Sequence, residues 1–191
     1  MNDKDFNSQK VERLNNPLRS KEFPIDFVVD TAPIENPKVM VDLGAGTAFF
    51  SVPLARLFPD CKIYACDISE AMIDWIKTNI ISHDTNIIPV RIEPNRIPLE
   101  DGTADFVFMV NLHHELDDPH LTLSECFRLL KPGGKIAVSD WKKEKTERGP
   151  AIELRCDPEK VKDQLTLAGF SSIRLYQDFP NNFILLAAKG M

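Results

Sequence analysis

Asn111, His113, His114 and Glu115 fall within five residues, directly after the apolar run 104–110. An amide, two imidazoles and a carboxylate at a strand end can orient a small molecule and move its proton. Histidine's unperturbed pKa of about 6.5 puts such a base near neutrality, so His113 and His114 are both candidate catalytic residues. A purely orienting role is the plainer reading. Zinc fits the stretch poorly: His113, His114, Asp117 and His120 match no established ligand spacing, and adjacent histidines on a turn diverge. No metal is expected.

A second cluster precedes it. VMVDLGAGTAFF (39–50) is a hydrophobic strand carrying Asp42, followed by Gly44 and Gly46 before a helix. Glycines there let a ligand approach the main chain where a side chain would clash. The dinucleotide fingerprint G-x-G-x-x-G needs a third glycine or alanine at position 49, and Phe49 is too bulky for close helix–strand packing. The shorter spacing G-x-G-x-G uses position 48, where Ala48 is small enough, and Asp42 beside the turn can draw a ligand's ammonium. Asp67 ends the next apolar run, 21 positions after Gly46, where a carboxylate can accept both hydroxyls of a ribose with Ile68 beside the base. Glu93, at the end of the third run, can accept from an adenine amino group. A helix cap and a solvated loop glutamate are the plain alternatives for Asp67 and Glu93.

These residues need a scaffold that brings strand ends together. From Lys38 onward, short β-rich runs alternate with amphipathic stretches, the pattern of a parallel sheet with helices on both faces. Strands are expected at 39–43, 62–66, 86–92, 104–110 and 136–139, with a turn at KPGGK (131–135) before the fifth. Helices are expected at 48–58, after Ser69, and from Asp118-Pro119, the last with Leu121, Leu123, Cys126, Phe127 and Leu130 facing inward. Pro53 is tolerated only in a first turn or at a bend. A polar loop over 142–158 leads to a helix over 158–168 that Gly169 ends. Segments 171–176 and 182–188 form a hairpin. Residues 1–35, with Pro17, Pro24 and Pro33 among scattered apolar side chains, are expected to form short helices: a cap or lid on the domain 36–191.

At 191 residues, 43% hydrophobic and 27% charged, the chain suits one globular domain. A net charge of −6 disfavours a broad grip on nucleic acid, which needs clustered cations. The start MNDKDFNSQK lacks the basic and apolar regions of a secretory signal, and no run approaches the roughly 18 apolar residues of a spanning helix. Cys61, Cys66, Cys126 and Cys156 show no C-x-x-C spacing and read as reduced core residues. A cytoplasmic protein without membrane insertion is expected.

In order, DLGAGTAFF, ACDIS, IPLEDGTADFVF, NLHHEL and LLKPGGKIAVSDW resemble the motifs of class I S-adenosylmethionine-dependent methyltransferases, above all the quinone-biosynthesis-like branch with a methyltransferase type 11 domain. The resemblance covers roughly residues 16–189. It implies a Rossmann-like seven-stranded sheet of order 3-2-1-4-5-7-6 with the last strand antiparallel, S-adenosyl-L-methionine as cofactor, and methyl transfer to a small-molecule acceptor. It also implies that Asp42, Gly44 and Gly46 line the methionine end, Asp67 holds the ribose, Ile68 packs on adenine, Glu93 meets its amine and Asn111 lies near the sulfonium. Ala45, Met72, Pro94 and Leu112 complete the cofactor set. Arg19 and Phe23 in the cap, and Lys143, Glu153 and Arg155 in the loop after Trp141, are candidate acceptor contacts. Three positions depart from the pattern: Ala48 for a third glycine, Glu93 for aspartate, and Ala104 for phenylalanine. A homodimer is compatible with the sequence. A cofactor-binding protein without turnover and a nicotinamide-dependent oxidoreductase are the alternatives, the latter opposed by Phe49.

Overall fold

The computed structural model describes residues 8–81, 86–146 and 148–191; the first seven residues of the expected cap lie outside these. Seven strands form one sheet: β1 (Val39–Leu43), β2 (Lys62–Asp67), β3 (Ile87–Arg91), β4 (Ala104–Val110), β5 (Leu130–Trp141), β6 (Ser171–Tyr176) and β7 (Asn182–Ala188). Their order is β3-β2-β1-β4-β5-β7-β6. β1 to β5 pair in parallel, whereas β7 runs antiparallel to both β5 and β6. Strands β1 and β4 are buried on both faces, which is why their sequences read as continuous apolar runs.

Among the described residues six α-helices flank the sheet: α1 (Ser8–Leu14), α2 (Ile25–Thr31), α3 (Ser51–Leu57), α4 (Glu70–Asn79), α5 (Pro119–Leu129) and α6 (Pro158–Leu167), with a 3-10 turn at Pro17–Lys21. The starts of α4, α5 and α6 are set by side chains that accept from free amide groups: Ser69 from Met72, Asp118 from Leu121, Asp157 from Glu159. Pro53 is the third residue of α3, inside the first turn, where its missing N–H breaks no helical bond. Gly169 follows α6 at φ 98°.

Three local expectations are corrected. Helix α3 starts at Ser51, not Ala48, because the glycine turn extends through Phe50. Leu121 is 51% exposed and Thr122 faces inward in its place, bonded to Asn95. KPGGK is part of the twelve-residue β5, where a register shift opposite Ala104 and Phe106 absorbs the extra residues.

The cap belongs to the core. Phe23 is 1% exposed, edge-on to Phe50 and stacked on Phe108, each at 5.6 Å. Val28 and Ala32 join the same cluster. Burying such side chains contributes about 1.5–3 kcal/mol each, so residues 23–32 are anchored. Phe23, a candidate acceptor contact, is therefore a packing residue.

Candidate functional site

Between β1 and β4 the strand order reverses direction, which opens a crevice at the carboxyl ends of an α/β sheet. The glycine turn leads out of β1 there. Gly44, Gly46 and Ala48 all have positive φ, at 71°, 56° and 56°. Only alanine departs from the residue that such a backbone favours, at a cost of roughly 1–2 kcal/mol. The turn's amide groups are largely engaged: Gly44 and Ala45 donate to the Cys66 carbonyl, Ala48 to the Ala45 carbonyl, and Gly46 to the Asp67 carboxylate at 2.8 Å. A Cβ on Gly44 would stand 2.8 Å from the Leu112 side chain, and one on Gly46 3.3 Å from that of Leu14. The turn is gripped from two sides.

Asp42 sits beneath it, fully buried, and accepts from Ser51 Oγ at 2.7 Å. Desolvation pushes its pKa up to about 7, opposed by the Ser51 hydrogen bond and by the Arg19 charge. Asp67 also accepts from the Ser69 amide at 2.9 Å. Next to it Ile68 is 49% exposed, an apolar surface beside a carboxylate on an otherwise polar edge. Glu93 and Pro94 are exposed on the following turn, closed by a bridge between Glu93 and Arg96. Met72 is buried within α4, behind this edge.

On the cap-facing side, Asn111 leaves β4 at φ 56°. Its Nδ2 donates to Glu22 Oε2 at 2.9 Å, and its Oδ1 accepts from Asn182 Nδ2 at 2.7 Å. Glu22 is buried; Arg19 Nε donates to the same Oε2 at 3.2 Å and Arg148 stands 3.5 Å from Oε1. Burial raises the Glu22 pKa, while both arginines and Asn111 act against it. Ser139 Oγ donates to the Glu22 carbonyl. This cluster joins the cap, β4, β5, β7 and the following loop.

Across the sheet the two histidines part company. His113 is buried, its Nδ1 3.3 Å from Cys156 Sγ, its Nε2 without a partner among the described residues. Desolvation lowers its pKa. His114 is different: its Nδ1 lies 2.8 Å from Asp140 Oδ1, and its own amide donates to Asp140 Oδ2 at 3.0 Å. Asp140 has no exposure and also accepts from the Trp141 amide at 2.7 Å. Desolvation pulls His114 down, but the hydrogen bond and charge of Asp140, with Glu115, outweigh it and the pKa is raised. Both oxygens of Asp140 accept backbone amides, from His114 and Trp141, so His114 Nδ1 is placed to donate to it and Nε2 is left as the base.

The loop residues separate as well. Arg155 is buried and donates to the carbonyls of Lys142, Glu144, Arg148 and Pro150 and to Thr146 Oγ1, with its guanidinium 5.8 Å from the Trp141 ring. It organises the loop. Lys143 and Glu153 are exposed. Of the thiols, Cys61, Cys66 and Cys126 are buried and Cys156 is partly exposed, all free.

Glu22, Asp140, Ser139, Arg148 and Asn182 were not among the sequence candidates. Asp140 had a local signal, a carboxylate at the end of a strand (SDW). Glu22 and Asn182 had none, because their partner Asn111 is 89 and 71 positions away.

Residues 41–138 match the family model described as methyltransferase domain. A structure of a SAM dependent methyltransferase from Aquifex aeolicus superposes with a TM-score of 0.87 at 30% identity, covering 96% of this chain and 98% of that one. Among curated relatives, the malonyl-(acyl-carrier protein) O-methyltransferase of Methylococcus capsulatus is 34% identical over 54% of this chain and 37% of its own length. The ubiquinone/menaquinone biosynthesis C-methyltransferase of Pasteurella multocida is 27% identical over 61% of this chain and 45% of its own. The chain thus spans less than half the length of these curated relatives.

Proposed function

We propose a reaction from one premise: the chain belongs to the methyltransferase domain family, together with the S-adenosylmethionine-dependent enzyme it matches over nearly its whole length. The protein transfers a methyl group from S-adenosyl-L-methionine to a small-molecule acceptor. The observation that carries this reading is the side-by-side placement of Asp67, the glycine turn and Asn111 at the carboxyl ends of β2, β1 and β4. One extended ligand spans them: ribose hydroxyls on the free lone pairs of Asp67, the base on Ile68 toward Glu93 and Pro94, the amino-acid end over the turn toward Asn111 and Leu112. Engaged turn amides and Phe49 disfavour a pyrophosphate in the same place.

Bound there, the cofactor supplies an electrophilic methyl group on a positive sulfonium. The chain must hold the acceptor about 3–3.5 Å away and in line. His114 is the base we assign, since Asp140 fixes its tautomer while His113 is buried against Cys156. With the cofactor in place, His114 Nε2 would take the proton of an acceptor hydroxyl, amine or activated carbon, while the sulfur–methyl bond would give way to the acceptor–methyl bond and leave its electron pair on a neutral thioether. Residues 1–35 act as the cap and 36–191 as the catalytic domain. Among the described residues no helix is long and apolar enough to cross a membrane, and the four free thiols fit a reducing compartment, so we place the enzyme in the cytoplasm.

Calorimetry tests the cofactor: micromolar binding of S-adenosylhomocysteine and none of NAD is expected, and the reverse pattern overturns the reading. An acceptor screen with methyl-labelled cofactor separates an enzyme from a protein that only binds it.

A further inference from the structure

Arg19 stands out among the charged residues that the sheet edge gathers. Its guanidinium lies over the Phe49 and Phe50 rings, at 5.4 and 4.9 Å from their centroids, on the last two residues of the glycine turn. Nε donates to Glu22 at 3.2 Å and Nη1 to the Leu14 carbonyl at 2.6 Å. The Leu14 side chain is the group that a Cβ on Gly46 would meet. Nη2 has no hydrogen-bond partner among the described residues. A largely buried guanidinium anchored on two nitrogens and open on the third is an incomplete anion site, because a desolvated charge is stable only when fully paired.

The turn cannot complete such a site unaided. The amides of Gly44, Ala45, Gly46 and Ala48 donate inside the protein, and the carboxylate beside it, Asp67, is an acceptor that offers an anion no partner. Direction comes from the strand order. With ribose and base over β2 and β3, the remainder of an extended ligand runs over β1 toward β4, beneath Arg19.

We propose that Arg19 binds the carboxylate of the cofactor's amino-acid end through Nη2, with Glu22 as the positioning residue that holds Nε and thereby aims the free edge. This rests on the cofactor reading above and reassigns Arg19 from acceptor to cofactor recognition. The cap then carries part of the cofactor site, and its 3-10 turn reports whether an amino-acid chain is present. Glu22 also lies where the neighbouring ammonium would be drawn, so the two ends of the zwitterion meet opposite charges.

The test compares two ligands that differ only by that end: S-adenosylhomocysteine and 5′-methylthioadenosine, which lacks the amino-acid chain. Calorimetry on wild type, Arg19→Met and the double variant Arg19→Met/Glu22→Gln measures both affinities, with melting curves as a check on folding. The double variant removes the buried carboxylate that the single one leaves with only Asn111 and Arg148 as partners among the described residues. Loss of one charge-assisted contact is expected to weaken S-adenosylhomocysteine by about 10- to 150-fold in both variants, with methylthioadenosine changed by less than about threefold. Equal weakening of both ligands, or unchanged S-adenosylhomocysteine binding in the folded double variant, overturns the proposal. Wild type that binds neither ligand overturns the cofactor reading instead, so the two failures are distinct.

Discussion

The two ends of the same parallel strands are built on opposite principles. At the amino end, Asp105 accepts from the Lys38 and Val39 amides at 2.8 and 2.9 Å and pairs with Lys131 at 2.6 Å. Although desolvation pushes upward, these partners hold its pKa below the usual carboxylate range. Lys135 caps the Pro33 carbonyl of the cap. At the carboxyl end, Asp42 is pushed up to about 7, Ala48 and Asn111 hold positive φ, and Thr47 Oγ1 and Asn182 Oδ1 are buried without partners among the described residues. At the amino edge the charged groups Asp105, Lys131 and Lys135 are paired. The other keeps strain and unfilled hydrogen-bonding capacity, which a protein retains where a ligand will use them.

Substitutions can break that contrast. The largest effect is expected at His114: His114→Gln should slow methyl transfer by about 10²- to 10⁴-fold while S-adenosylhomocysteine affinity stays within a few-fold. Asp105→Asn at the opposite edge should lower the melting temperature and leave the rate per folded molecule unchanged. Equal rates for wild type and His114→Gln would make the histidine an orienting group. The raised pKa of His114 places the rising limb of activity above the free-histidine value of about 6.5, and Asp140→Asn should shift that limb downward.

Asp42 sharpens the comparison through pH. Its folded pKa of about 7 exceeds the ordinary 3.8, so between these values the unfolded chain is ionised while the folded one holds a proton. Stability therefore falls as pH rises through that window, and the full cost is present above pH 7. Asp42→Asn, which can still accept from Ser51, should stabilise the protein by on the order of 1–4 kcal/mol at pH 8 and by almost nothing near pH 4. A pH-independent gain in denaturant melts would refute the ionisation argument.

Asp67→Ala should weaken S-adenosylhomocysteine binding by about 10- to 150-fold, as expected for hydrogen bonds to a charged group, and Glu93→Ala by less. Because Asp67 also ties down the Gly46 and Ser69 amides, Asp67→Asn is the companion variant: it keeps one acceptor oxygen and should lose less. The smallest effect is at Ala48. Ala48→Gly relieves a left-handed alanine and should raise stability by up to about 1 kcal/mol, the conformational relief being partly cancelled by a freer unfolded chain. A lower melting temperature would mean that the Ala48 methyl group packs more favourably than its backbone is strained.

How much of this the sequence disclosed depends on distance along the chain. Strands β1, β4 and β7 were legible because a strand buried on both faces writes a continuous apolar run into adjacent residues, whereas the period-two alternation expected of the terminal hairpin is absent from β6 and β7. The glycine turn and Asp67 were legible for the same reason. KPGGK was misread because its turn residues are accommodated by a shift in register with β4, a property of the neighbour. Arg155, a candidate acceptor contact in the sequence, is surrounded by five acceptors, every one supplied by the fold of the loop. His113 and His114 could not be ranked without Asp140, 26 positions downstream of His114.

The bond from Asn182 to Asn111, continued from Asn111 to Glu22, has a consequence for synthesis on the ribosome. A chain made from its amino end presents Glu22 and Asn111 long before Asn182 exists, and β7 must then insert between β5 and β6. Until residues 182–188 emerge, β5 has an open edge, Ile184 and Leu186 are missing from the cap-side core, and the Asn111 carbonyl lacks its donor. Nascent chains stopped short of β7 should therefore display an unpaired strand edge, the surface that chaperones and aggregation both exploit. Ligand competence should appear in one late step, when the two ends of the folded unit are joined through Asn111.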